Sequence, residues 1–221
     1  MKITESNFNI KVPYNNKPAY IIIHHALATN CTVFDVNIWH KALGWAGIGY
    51  HYFITKEGKV YTGRKESQRG AHCKEKGMNM KSIGICLEGC YQDYKGMADK
   101  EMPQAQFNAL VELTKRLQDK YKIPVGKIKT HHEFASYKLC PGNYFPWDNY
   151  TTALKETHDD ELEKENERLK QIIETQKEDI QYLNDQWKKT SKEVFNRDMK
   201  IKELTNRIAK MKAGAKEIGE M

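Results

Sequence analysis

The sequence predicts an α/β domain, a mixed central β-sheet flanked by helices, followed by a long C-terminal helix patterned as a coiled coil. Short apolar, β-branched runs alternate with helix-like stretches through the first two thirds of the chain, the order expected of an α/β fold. All 6 Pro, all 5 Cys and 12 of the 14 Gly lie before residue 147, so the punctuation of a folded domain stops there. Beyond it, apolar residues recur with a 4-3 spacing for eight heptads. These observations divide the chain into a domain at 1–154 and a helix at 155–221.

The elements follow in order. Ala19 to Ile23 reads as a buried strand ending at the pair His24-His25. Thr32 is an N-cap for a helix whose apolar positions Val33, Val36 and Leu43 share a face, with Gly44 as its stop. Tyr50 to Thr55 is a strand, Glu57-Gly58 a turn and Lys59 to Thr62 the hairpin partner. In Ser82 to Glu88, Ile83, Ile85 and Leu87 point one way and Ser82, Gly84, Cys86 and Glu88 the other. Pro103 opens a helix with Phe107, Leu110, Val111, Thr114, Leu117 and Tyr121 along one stripe. Ile128 to Thr130 is a brief strand ending at a second pair, His131-His132.

The tail obeys a different rule. Asn166, Ile173, Ile180, Trp187, Val194, Ile201, Ile208 and Ala215 fall at a; Leu162, Leu169, Gln176, Leu183, Thr190, Arg197, Leu204, Met211 and Ile218 fall at d. Ile and Val at a with Leu at d favour two parallel strands, and Asn166 fixes register. Gln176, Thr190 and Arg197 weaken the middle of the seam. A single amphipathic helix folded back on the first domain is the other reading, but a 3.5-residue period this long drifts off any fixed face of a straight helix.

Composition excludes several classes. No stretch approaches the ~20 apolar residues of a membrane span, and MKITESNFNIKV has no apolar core of a secretory signal. Five cysteines at irregular spacing argue against a disulfide framework and for synthesis in a reducing compartment. Residues 1–154 carry 21 Lys+Arg against 13 Asp+Glu and residues 155–221 carry 15 against 16, so the net charge of +7 arises in the first part. A basic surface suits an anionic partner; the chain holds no nucleic-acid motif, and neither nucleic-acid binding nor membrane insertion is expected.

Seven of the eight histidines precede residue 133, and two adjacent pairs sit at strand ends, where α/β sheets build their sites. With Cys140, in the loop Lys138-Leu139-Cys140-Pro141-Gly142, they offer two imidazoles and one thiolate. That donor set suits zinc and leaves a fourth position for water. No local H-E-x-x-H or C-x-x-C signature supports it, so spacing alone favours structural histidines over a zinc hydrolase.

Six colinear segments go further. Ile21-Ile22-Ile23-His24-His25-Ala26, Trp39-His40 with Gly44-Trp45, Gly47-Ile48-Gly49-Tyr50-His51-Tyr52, Gly70-Ala71-His72, Ser82-Ile83-Gly84-Ile85, and His131-x-Glu133-Phe134 leading to Cys140-Pro141-Gly142 resemble the type 2 N-acetylmuramoyl-L-alanine amidases. That family includes phage endolysins of the T7 lysozyme type and the peptidoglycan recognition proteins. The resemblance covers about residues 18 to 147 and stops short of the tail. It implies the amidase type 2 fold, a zinc site of His24, His131 and Cys140, and hydrolysis of the bond between N-acetylmuramic acid and L-alanine. The family pattern H-x-E-F selects His131, whereas the commonest histidine-to-cysteine gap selects His132. Glu133 and Phe134 anchor the register, making His131 the expected ligand and His132 the alternative. Tyr50 falls at the family's catalytic tyrosine and Lys138 at the lysine of the phage-type enzymes. His72 matches a groove-lining region and is a substrate-contact candidate. Glu88 is another, near the Cys86 position where some phage amidases carry a functional glutamate.

The resemblance also implies a partner, bacterial peptidoglycan; the lack of a signal pattern and the irregular cysteines fit synthesis in the host cytoplasm before action on the wall. Two other classes share the fold: a non-catalytic recognition module, which commonly lacks the cysteine ligand, and a wall-docked adaptor whose main function is the coiled coil. A dimeric tail would present two domains to one wall.

Overall fold

A computed structural model describes residues 1–155 and 158–219, with side chains for residues 1–155 and 165–212. Residues 156, 157, 220 and 221 and the side chains of Leu162, Ala215 and Ile218, which belong to the expected C-terminal helix and its heptads, lie outside that description. The chain divides into two units, Met1–Thr157 and His158–Met221.

The first unit is built on six strands: β1 (Ile3–Thr4), β2 (Tyr20–His25), β3 (Tyr52–Ile54), β4 (Val60–Thr62), β5 (Ser82–Leu87) and β6 (Ile128–Thr130). They form one sheet in the order β1-β4-β3-β5-β2-β6. Only the β3–β4 hairpin is antiparallel; the remaining pairs are parallel. β2 and β5 are buried on both faces, as interior parallel strands are. One face carries Ile21, Ile23, Ile83, Ile85 and Leu87 against α2 (Gln104–Tyr121) and α3 (Trp147–Lys155). The opposite face carries Phe53 and Cys86, packed with Val33 and Val36 of α1 (Val33–Ala42), and Ile22, packed with Cys73 and Met78. His24 follows Ile22 on that second face by strand alternation.

Local chemistry sets the helix ends. Thr32 and Asp35 form a reciprocal capping box at the start of α1. The helix stops at Ala42, and Gly44 turns away with φ of 80°. Pro103 caps α2, whose Gln106 donates to the carbonyls of Ile54 and Glu88, tying the helix start to the ends of β3 and β5. Thr114 and Tyr150 share a 2.7 Å hydrogen bond between α2 and α3.

The sequence expectations need adjustment in several places. β2 extends through both histidines, because β5 pairs with it as far as His25. Tyr50 and His51 bond to Arg64, Gly63 and Gly84 but precede the regular strand. Leu43 is exposed, since the buried stripe of α1 ends at Asn37. Strand β1 and helix α3 have no counterpart in the sequence reading.

The second unit is one helix, α4 (His158–Gly219). Its heptad residues Leu169, Ile173, Ile180, Leu183, Trp187, Val194, Ile201, Leu204, Ile208 and Met211 are exposed. Pairs such as Glu167–Lys170 and Glu174–Lys177 line other faces. Among the described residues no helix is long and apolar enough to cross a membrane.

Candidate active site

Two parallel strands that end side by side bring the histidine pairs together. β2 and β6 are in register through Ile23 and Thr130, so His24 and His131 occupy the next rung, and their rings stand 4.6 Å apart. The loop after β6 returns Cys140 to the same place. Ala135 N–H donates to the His131 carbonyl, Lys138 N–H to that of Ala135, and His132 N–H to that of Cys140. The Cys140 sulfur accepts from the His25 amide at 3.1 Å. As a result, donor atoms of His24, His131 and Cys140 all lie within 4.8 Å of one another.

These groups have the protonation habits of ligands. Burial holds His24 well below the ordinary imidazole range, with His72 and His131 adding to the effect. Burial also lowers His131, against an opposing pull from Glu75. Both rings are therefore neutral near pH 7, each with a lone pair to give. Burial pushes the Cys140 thiol up to about 12, opposed by the His25 amide and Lys138. A bound cation would displace that proton, and the His25 N–H already points at the sulfur that would carry the charge. The residues present thus fit a metal ion with nitrogen and sulfur preference.

His131 and Cys140 open onto a groove of about 870 Å³, with His40, Leu43 and Trp45 on one wall and Glu75, Tyr137 and Leu139 on another. Tyr50 lines it, its ring 5.0 Å from that of His24. Burial raises the Tyr50 phenol well above its ordinary pKa, with Cys86 and Cys140 adding to the effect. Lys138 also lines the groove, its ammonium 5.5 Å from the centre of the Tyr137 ring.

The other candidates have separate places. His132 is exposed, and its Nδ1 donates to the Lys138 carbonyl at 2.6 Å, closing the loop that carries Lys138 and Cys140. It lies outside the three-donor group. His72 reaches the groove but is buried, with Nδ1 3.0 Å from His24 Nε2. Gly84 makes room for it: a Cβ there would stand 2.6 Å from the ring. Glu88 is not among the groove residues; its carboxylate accepts from the amides of Cys31 and Lys56 and braces the loops after β2 and β3. Sequence reasoning missed Glu75, Tyr137 and Cys86 as residues beside the donors. Only Cys86 carried a signal, the resemblance to phage amidases that carry a functional glutamate there; in the structure it is the register partner of His24.

A mixed sheet that gathers two neutral imidazoles and a thiol at its strand ends, beneath an open groove, defines a metal-site enzyme of the α/β class. The chain belongs to the N-acetylmuramoyl-L-alanine amidase family, which matches residues 14–143 and so ends before α4. It is 40% identical over 124 residues to the endolysin of Escherichia phage T7, covering 54% of this chain and 78% of that protein. Peptidoglycan-recognition protein SC2 of Drosophila melanogaster is 30% identical over 141 residues, covering 60% and 72%. Among solved structures, the N-acetylmuramoyl-L-alanine amidase LysC from Clostridium intestinale superposes with a TM-score of 0.63 at 33% identity, covering 71% of this chain and 99% of its own.

Proposed function

We propose that this chain is a zinc-dependent N-acetylmuramoyl-L-alanine amidase that cleaves the amide between the lactyl group of N-acetylmuramic acid and L-alanine in bacterial peptidoglycan, as a phage-type endolysin. The observation that carries the reading is the convergence of His24, His131 and Cys140 donors within 4.8 Å beside the groove. These three residues would hold the zinc. Bound there, zinc supplies a Lewis acid for the scissile carbonyl and an acidified water as nucleophile.

The protein's own groups complete the chemistry. The His25 amide supports the Cys140 sulfur as a thiolate. Lys138, fixed by the His132 clamp two residues before Cys140, brings a positive charge to the carbonyl oxygen as it becomes an oxyanion. Tyr50 is a phenol and stays protonated near neutral pH, so its hydroxyl can orient the attacking water and help move its proton. Leu43 and Trp45, exposed in the groove, offer apolar surface for the substrate to pack against.

The tail belongs to the same proposal. Residues 1–154 form the amidase domain, and 155–221 self-associate through the exposed apolar heptads of α4 as a parallel two-stranded coiled coil. Two domains on one wall then gain avidity. Synthesis in the reducing host cytoplasm is also proposed, supported by five free cysteines, one of them in the donor group. The basic excess of +7 favours approach to an anionic wall and predicts binding that weakens with salt.

The test is release of new L-alanine amino termini from purified peptidoglycan by the zinc-loaded full chain, with zinc content measured alongside. Release that disappears in Cys140→Ser supports the reading. No release by the zinc-loaded wild type from several wall types ends it. For the tail, sedimentation of the full chain as a dimer and of a chain ending at Leu154 as a monomer is expected; identical association states would remove the coiled coil.

A further inference from the structure

The donor group leaves a cluster beside it unexplained. Glu75 begins the irregular turn Glu75–Met80 and lines the groove with its side chain 18% exposed. One carboxylate oxygen, Oε1, accepts from the Tyr137 hydroxyl. The other, Oε2, lies 4.0 Å from His131 Nε2 and 3.8 Å from the Cys73 thiol. A near neighbour, Cys73, and two groups from the segment after β6, His131 and Tyr137, therefore converge on one carboxylate.

We infer that Glu75 is a positioning residue for His131, orienting the imidazole toward His24 and Cys140, and that Tyr137 holds Glu75 in place. This rests on the metal reading of His24, His131 and Cys140. An imidazole that gives one nitrogen to a cation carries its proton on the other, and that N–H needs an acceptor to fix the ring. Nε2 is the ring nitrogen beside Glu75, and with its proton shared there, Nδ1 would be the nitrogen given to the donor group. The 4.0 Å gap is about 1 Å longer than a hydrogen bond, and this contact is expected to tighten when His131 holds a cation. Tyr137 sits in the same loop as Cys140, so its hydrogen bond to Glu75 also ties the Cys140 loop to the turn after His72.

Cys73, Glu75 and His131 also bring donor atoms within 4.8 Å of one another, so a second cation is the competing use of the cluster. The positioning role is favoured because a second cation would draw His131 away from the first group and would meet a carboxylate whose Oε1 is already engaged by Tyr137.

The experiment measures metal affinity of the full chain by competition with a chromophoric chelator, together with the visible spectrum of the cobalt-loaded protein. Glu75→Ala is expected to lose metal affinity by ~10–100-fold and to shift the cobalt bands, as for other carboxylates behind a ligating histidine. Glu75→Gln, which keeps an acceptor oxygen, recovers part of that loss, and Tyr137→Phe shifts affinity in the same direction by less. The metal-free proteins melt alike, which separates orientation of the ligand from general destabilisation. Wild-type affinity and spectrum in Glu75→Ala overturn the inference. So does a wild type that binds two equivalents while Glu75→Ala loses one and keeps the tighter. A wild type that binds no metal contradicts the proposed function itself, and the inference falls with it.

Discussion

The ends of β2 and β6 look alike in sequence, each an adjacent pair of histidines after an isoleucine- or lysine-containing strand, yet the two pairs divide their work differently. At the end of β2, His24 joins the donor group, while His25 points to the other face, where Nδ1 accepts from the Tyr91 amide and its own amide supports Cys140. After β6, His131 joins the donors, while His132 turns outward and clamps the Lys138 carbonyl. The first spare histidine is buried and braces the core; the second is exposed and braces a loop. Residue type placed two imidazoles at each end, but strand alternation and loop closure assigned their roles.

That contrast can be broken from either side. The largest effect belongs to the shared donor group. Cys140→Ser is expected to cut amide hydrolysis by ~10³-fold or more, the equivalent of several kcal/mol of transition-state stabilisation, as read from amino-terminus release; retained activity with metal still bound would reassign the ligands.

Acid should act next, on the buried histidines. Burial holds both His25 and His51 at about 4, whereas the unfolded chain takes up those protons near pH 6.5. Each therefore contributes stability that is full above pH 6.5 and drains as pH falls toward 4, up to ~3 kcal/mol apiece. His51 lies away from the donor group, accepting from the Gly84 amide. In urea titrations at pH 7 and pH 5, His51→Gln should lose less stability between the two pH values than wild type does; an equal loss would mean that His51 does not carry the acid sensitivity.

A smaller effect is expected from Gly84→Ala. Its methyl would press on the His72 ring, which bonds His24, and should cost ~1–3 kcal/mol of stability together with weaker metal retention. Unchanged stability and retention would show that His72 has room to move. The smallest is His132→Ala, which removes one exposed clamp. A stability loss within about 1 kcal/mol, with metal retained and turnover reduced through a looser Lys138, is the expected outcome; complete metal loss would mean that His132, not its neighbour, is the ligand.

Much of this was legible in the sequence because it depends on short-range rules. The alternation from Ser82 to Leu87 and the Thr32 cap are local patterns, and the structure keeps them. The order of motifs placed Tyr50, Lys138 and Cys140 beside the groove even though 115 residues separate Cys140 from His25. What stayed hidden depends on tertiary context. Helix α3 follows Pro146 for only two turns and is held by Tyr150 against Thr114. Glu75 sits at a turn where Lys76 and Gly77 adopt φ of 50° and 73°, so no periodicity announces its neighbours. Glu88 shares a strand face with Cys86 but lies past the end of β5, where backbone amides capture its carboxylate.

The most direct measurement is the zinc content of four single variants, His24→Ala, His25→Ala, His131→Ala and His132→Ala, purified as full chains and dialysed against the same weak chelator. The account predicts that His24→Ala and His131→Ala emerge without metal while His25→Ala and His132→Ala keep close to one equivalent. Loss in His132→Ala with retention in His131→Ala would contradict it.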